Sequence, residues 1–196
     1  MIDNWGALQA ACVLCTRCGL CEGRTNVVFG MGNPGAEVLF VGEGPGRDED
    51  LQGKPFVGRS GQLLDKFLAA VGLHRDRVYI ANIVKCRPPE NRDPRPDEQE
   101  ACIGWLRNQF YLMRPKIVVC LGRVAAMKMI DPEIKITRQH GEFTDKNGTL
   151  FMGTFHPAAL LRNPKQKPDA FGDYTALRDK ILEICTRTPV DEMQPF

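Results

Sequence analysis

Apolar residues along this 196-residue chain recur at two spacings, and the alternation between them outlines a fold. Short runs in which most positions are apolar read as strands buried on both faces: Val38-Leu39-Phe40-Val41, Val78 to Val84, Lys116 to Leu121 and Leu150 to Phe155. Between the runs, apolar side chains return every three or four positions. Leu63, Leu64, Phe67, Leu68 and Val71 predict a helix from about Ser60 to Val71 that stops at Gly72. Further helices are expected near Asp97 to Met113, Arg123 to Ile130 and Phe171 to Thr186. Strands alternating with helices predict an α/β fold, a single-domain α/β/α sandwich around a central, mostly parallel four-stranded sheet with right-handed crossovers. Residues 1–196 make one domain in this reading, with 187–196 a loose tail. The rigid, polar excursion Pro88 to Pro96 is not a linker, because regular patterns continue on both sides.

In an open parallel sheet the strand ends share one rim, the usual place for a ligand. Two loops stand out at that rim. Gly42-Glu43-Gly44-Pro45-Gly46 follows the first strand, and His156-Pro157-Ala158-Ala159-Leu160-Leu161-Arg162-Asn163-Pro164 follows the fourth.

Composition narrows the class. At 43% hydrophobic and 26% charged, the chain can bury a full core without staples. No stretch approaches the roughly 20 apolar residues that span a bilayer, and the start Met1-Ile2-Asp3-Asn4 lacks a signal pattern, so a cytoplasmic protein with no membrane partner is expected. In that reducing compartment, eight cysteines read as metal ligands or buried thiols rather than disulfides. A net charge of +2 leaves only local surfaces for nucleic acid, such as Lys85, Arg87, Arg92 and Arg95, or Arg162, Lys165 and Lys167.

Cys12, Cys15, Cys18 and Cys21 recur every third residue, and Cys86 and Cys102 flank the Pro-rich excursion. Paired C-x2-C with distant partners is metal-ligand spacing, and spacing alone fits zinc or an iron-sulfur cluster equally. The first four could also form a local site, although their last spacing departs from the ferredoxin run. Cys120, inside a strand, and Cys185, on the last helix, read as core thiols. Gly30-Met31-Gly32-Asn33-Pro34-Gly35 matches a dinucleotide pattern, but it precedes the first long strand and Pro34 sits where a helix should begin.

Five segments in fixed order carry a closer resemblance. They are Cys15-Thr16-Arg17-Cys18-Gly19-Leu20 leading to Arg24-Thr25-Asn26-Val27-Val28; Gly42 to Gly46 with Glu49-Asp50; Pro55-Phe56-Val57-Gly58-Arg59-Ser60-Gly61; Asn82-Ile83-Val84-Lys85-Cys86-Arg87-Pro88-Pro89; and His156-Pro157 with Leu161-Arg162. Over roughly Cys15 to Lys180 the chain resembles the family 4, iron-sulfur-containing uracil-DNA glycosylases. The resemblance implies a DNA-repair enzyme that flips uracil from DNA and hydrolyses its N-glycosidic bond. It also implies a 4Fe-4S cluster held by Cys15, Cys18, Cys86 and Cys102, leaving Cys12 and Cys21 spare.

That chemistry assigns roles that the residues can fill. Uracil leaves as an anion from an oxocarbenium-like sugar, so a catalyst must stabilise negative charge on the base and place a water. His156 is expected to hydrogen-bond the uracil oxygen. Glu43 activates the water or shapes the pocket, and Gly42 and Gly44 let backbone approach the base. Phe56, which by itself reads as a core aromatic, becomes the stacking surface for flipped uracil, and Asn82 reads its Watson-Crick edge. Leu160 or Leu161 is the wedge that fills the vacated stack, while Arg162 meets phosphate. The expected partner is uracil-containing DNA, single- and double-stranded, acted on by a monomer. A covalently attaching relative needs an inserted basic loop with a histidine, and residues 82–102 contain neither. A metal-stabilised nucleic-acid-binding or electron-transfer protein is the alternative from another class.

Overall fold

The computed structural model describes residues 2–194. Its strands are β1 (Met31–Gly32), β2 (Val38–Gly42), β3 (Tyr79–Asn82), β4 (Ile117–Leu121), β5 (Phe143–Lys146) and β6 (Thr149–Thr154), in the sheet order β1-β3-β2-β4-β6-β5. The four central strands are parallel and are those that the apolar runs predict. The sheet is nevertheless six-stranded, because an antiparallel edge strand is added on each side. Neither edge carries an apolar run. Two-residue β1 lies in the Gly-rich segment 30–35, and half-exposed β5 joins β6 through Asn147-Gly148, both at positive φ (55° and 81°), as a tight hairpin requires.

Eight helices cover the sheet: α1 (Trp5–Val13), α2 (Leu20–Gly23), α3 (Arg47–Gln52), α4 (Arg59–Ala70), α5 (Pro96–Met113), α6 (Arg123–Met129), α7 (Pro157–Arg162) and α8 (Lys167–Ile184), among the described residues. Strand alternation decides which layer each residue joins. Leu39, Val41, Tyr79, Ala81, Val118 and Cys120 point to the face packed with residues of α1, α5 and α6. Val38, Phe40, Ile80, Ile117, Val119 and Leu121 point to the face covered by α4 and α8. No helix among the described residues is long and apolar enough to cross a membrane.

Three expectations need correction. The segment after Phe155 is not a loop: His156 caps α7, and Pro157 occupies its first turn, where a missing N–H costs nothing. The 187–196 stretch is not loose over its described part. Buried Glu37 accepts from the amides of Thr186 and Arg187 at 2.9 and 2.6 Å, Asp191 N donates to Gly72 O, and Gln194 N donates to Ala70 O. Pro195 and Phe196 lie outside the described residues. Lys85, finally, belongs to no basic surface: it is 1% exposed, and its ammonium donates to Asn82 O at 3.0 Å and Gln109 Oε1 at 2.7 Å.

Candidate active site and cysteine corner

Parallel strands β2, β3 and β6 end on one rim, and a cavity of about 550 Å³ opens there. Glu43, Gly44, Phe56, Asn82, His156 and Arg162 all line it. Gly42 lies beneath. A Cβ on Gly42 would stand 2.4 Å from Asn82 Oδ1 and 2.6 Å from Phe56 Cζ, so the amide and the ring converge over a position that only glycine permits.

Each polar group is held in a defined state. Asn82 ends β3 at 1% exposure, and its Oδ1 has no hydrogen-bond partner among the described residues. Burying such an acceptor unmatched costs about 1–3 kcal/mol, so this one is suited to a ligand's N–H. His156 accepts from Ala158 N through Nδ1 at 3.1 Å, which leaves the proton on Nε2. Burial, with a smaller contribution from Arg162, pushes its pKa down to about 4, so the ring is neutral near pH 7. Gly122, at φ 87°, lets His156 approach: a Cβ there would meet His156 Cβ at 2.7 Å. The His156 and Phe56 ring centroids are 5.7 Å apart. Glu43 is the opposite case: burial, reinforced by the nearby Asp93 carboxyl, pushes it up to about 7.

Phe56 sits at φ 52°, a left-handed conformation that a bulky residue adopts only when its neighbours enforce it. Two residues outside the expected site do so. Arg75 donates to Pro55 O at 3.0 Å and to Phe56 O, while Glu49 Oε1 accepts from Val57 N and Gly58 N at 2.8 and 2.9 Å. Gly61 allows the turn to close, since a Cβ there would overlap Phe56 O at 1.8 Å. Glu49 was visible as a motif residue, but its role as a receptor for two amides has no sequence signature; Arg75 shows none either.

Leu160 and Leu161 separate cleanly. Leu160 is 1% exposed in the core, whereas Leu161 is 41% exposed beside Arg162 on α7. Of the two, only Leu161 reaches the surface.

The cysteines form a second site on the α1–α5 face. Cys12, Cys15, Cys18, Cys21, Cys86 and Cys102 surround one small pocket together with Arg24, Lys85 and Trp105. Three sulfurs already accept N–H donors: Cys15 from Trp105 Nε1 at 3.3 Å, Cys86 from Arg24 Nη1 at 3.4 Å and Cys102 from Lys85 N at 3.2 Å. Burial pushes the Cys102 thiol up to about 11 and that of Cys12 up to about 12, so a thiolate at either position needs a cation against it. No three His, Cys, Asp or Glu side chains among the described residues form a ready-made chelate for a single ion. The donor set is soft sulfur with N–H support, which suits iron-sulfur or zinc. Cys120 is fully buried in the core layer on the α1–α5 face, as expected, whereas Cys185 is only partly buried and packs against the opposite layer.

Comparison with known proteins finds relatives over most of the chain. A model of the uracil DNA glycosylase superfamily matches residues 29–177. The chain is 44% identical over 179 residues to a type-4 uracil-DNA glycosylase of Archaeoglobus fulgidus, covering 87% of this chain and 88% of that one. It is 48% identical over 151 residues to a type-4 enzyme of Thermotoga maritima, covering 76% and 79%. A third, from Sulfurisphaera tokodaii, is 40% identical over 191 residues, covering 92% and 86%. With a family match over most of its length and three such relatives, the chain belongs to the uracil-DNA glycosylase superfamily, in its type-4 branch.

Proposed function

We propose that this protein is a monofunctional uracil-DNA glycosylase, a DNA-repair hydrolase that removes uracil and leaves an abasic site. The observation that carries the reading is the unpartnered, buried Oδ1 of Asn82 in a cavity shared with Phe56 and His156. Uracil offers N3–H to that oxygen and O4 to the amide nitrogen, while its ring lies on Phe56. Cytosine lacks the N3 proton and presents a donor in place of O4, so the same amide rejects it.

Hydrolysis then needs the departing base stabilised and a water delivered. Neutral His156, with its proton on Nε2, donates to the uracil oxygen as negative charge develops; one such donor in a dry site is worth roughly 3–4 kcal/mol. Glu43, with a pKa near 7, orients the attacking water and accepts its proton. In duplex DNA, Leu161 fills the space left by the flipped nucleotide, and Arg162 contacts the backbone. Extrusion costs a few kcal/mol, so single-stranded uracil is handled at least as readily as paired uracil.

Cys15, Cys18, Cys86 and Cys102 hold a 4Fe-4S cluster in this reading, supported by the three N–H donors aimed at their sulfurs. Once bound, the cluster supplies structure, tying the N-terminal segment to the Pro-rich loop; glycosidic hydrolysis needs no electron. The enzyme acts as a monomer in the cytoplasm. The test is conversion of uracil-containing oligonucleotides to alkali-labile sites. Appearance of such sites with free uracil supports the reading, whereas DNA binding without cleavage after alkali would replace it with a nucleic-acid-binding module.

A further inference from the structure

Lys85 is a buried cation that the reaction above does not use. It is 1% exposed, and its two acceptors, Asn82 O at 3.0 Å and Gln109 Oε1 at 2.7 Å, are neutral oxygens rather than a carboxylate. Taking an ammonium out of water is expensive, and a methionine of similar length would fill the same space without that cost. The surroundings hold the ammonium in place. Gln109 of α5 is 0% exposed, and its Nε2 donates to Phe29 O at 3.0 Å and to Tyr79 OH at 3.4 Å. The Lys85 main chain is held as well, its O accepting from Val28 N at 2.8 Å and its N donating to Cys102 Sγ at 3.2 Å. The ammonium is therefore aimed at Asn82 O from an anchored backbone and beside an anchored partner.

We propose that Lys85, braced by Gln109, is a positioning residue that aims the Asn82 side-chain amide at the flipped base. The proposal rests on the reading of Asn82 as the group that accepts uracil N3–H. The peptide unit between Asn82 and Ile83 is tied at both of its polar ends: Ile83 N donates to Gly42 O at 2.9 Å, and Asn82 O accepts from Lys85 Nζ at 3.0 Å. Because that unit is planar, the two bonds together fix ψ of Asn82 and with it the direction in which its Cβ leaves the chain. The side chain needs this help. Its Oδ1 has no hydrogen-bond partner among the described residues, so no hydrogen bond holds that oxygen in place before a base arrives. Removing the ammonium takes away the donor to Asn82 O, and the peptide then gains by turning toward another, which carries the amide off the Watson-Crick edge.

The test is a double-mutant cycle with Asn82, because a lysine that merely supports the fold acts whether or not the amide is present. Lys85→Met removes the donor at similar length. Lys85→Met combined with Gln109→Leu makes both buried partners apolar, and it takes the place of the single variant if that one fails to fold. The wild type, the Lys85 variant, Asn82→Ala and their combination are compared at equal iron content, by single-turnover excision of uracil from an oligonucleotide and by inhibition of that excision with free uracil. Expected is about a tenfold loss in both measurements for the Lys85 variant alone, shrinking to less than about twofold when Asn82→Ala is already present. Losses of equal size in the two backgrounds overturn the positioning role, as does a Lys85 variant that excises and binds uracil like the wild type. Undiminished uracil binding and excision in Asn82→Ala itself would reject Asn82 as the reader of the base and the proposal with it, and since that failure shows in the Asn82 variant alone, the two failures are distinguishable.

Discussion

The base pocket and the cysteine corner occupy different parts of the same sheet, and they are held together by opposite means. The pocket is organised by the chain's own bonds. Phe56 is held at φ 52° by Arg75 and Glu49, His156 is fixed by Ala158 N and the Gly122 approach, and the buried Asn82 amide lies close over Gly42. The cysteine corner gathers six sulfurs and three N–H donors around one small pocket. A site that must act on transition-state charge gains from being rigid beforehand. A corner that held a metal cluster, as proposed, would draw folding energy from binding it and would not need that rigidity.

The comparison predicts that damage to the pocket costs rate and damage to the corner costs integrity. His156→Ala should make the largest change, lowering single-turnover excision by about a hundredfold or more with DNA binding nearly unchanged, because the lost donor matters chiefly when the leaving base becomes anionic. An equal loss in binding affinity would show that His156 holds the ground state instead. Gly42→Ala comes next. Its Cβ would force Asn82 Oδ1 and the Phe56 ring apart, and a displacement near 1 Å is worth about tenfold to a hundredfold in rate. Free uracil should lose affinity in parallel; undiminished uracil binding would refute the convergence over Gly42.

The corner should respond differently. Cys15→Ala is expected to lose iron and brown colour and to lower Tm by roughly 5 °C or more, a shift set by stability rather than by chemistry. Cys12→Ala should keep the metal and lose only about 1 kcal/mol of packing, since Cys12 is a fully buried core residue beside the ligands. Iron and acid-labile sulfide analysis of both variants decides this. Equal loss of iron in the two would make Cys12 a ligand and remove one of the other four.

Much of this contrast was legible in the sequence, and the gaps have physical causes. The four central strands and α4, α5 and α6 follow from apolar periodicity, because each is buried along a continuous face. The edge strands and short helices α1, α2, α3 and α7 were missed. β5 is polar and half exposed, and α7 is only six residues long, with a capping histidine that reads equally well as a loop. The pocket residues were legible as types in motifs. Their states were not: a neutral His156, a raised Glu43 and an orphaned Asn82 oxygen depend on burial and on partners such as Asp93 that are distant in sequence.

The one expected effect that depends on pH concerns Glu98, on the helix that also carries Cys102. Its carboxyl is 1% exposed, gripped by Arg92 and capped by Arg95 N, and the Arg92 hydrogen bonds hold it down to about 2 from an ordinary 4.5. A folded-state pKa below the unfolded one contributes stability that is fully present above 4.5 and is lost as pH falls toward 2. Because Arg92 is about a third exposed, the contribution near pH 7 is about 1–2 kcal/mol rather than the full value of the shift. Glu98→Gln should therefore destabilise the protein by that amount at pH 7, measured by urea unfolding, and the gap should shrink by about half by pH 3.5. A gap unchanged with pH would mean that Glu98 supports the Pro-rich loop through shape alone.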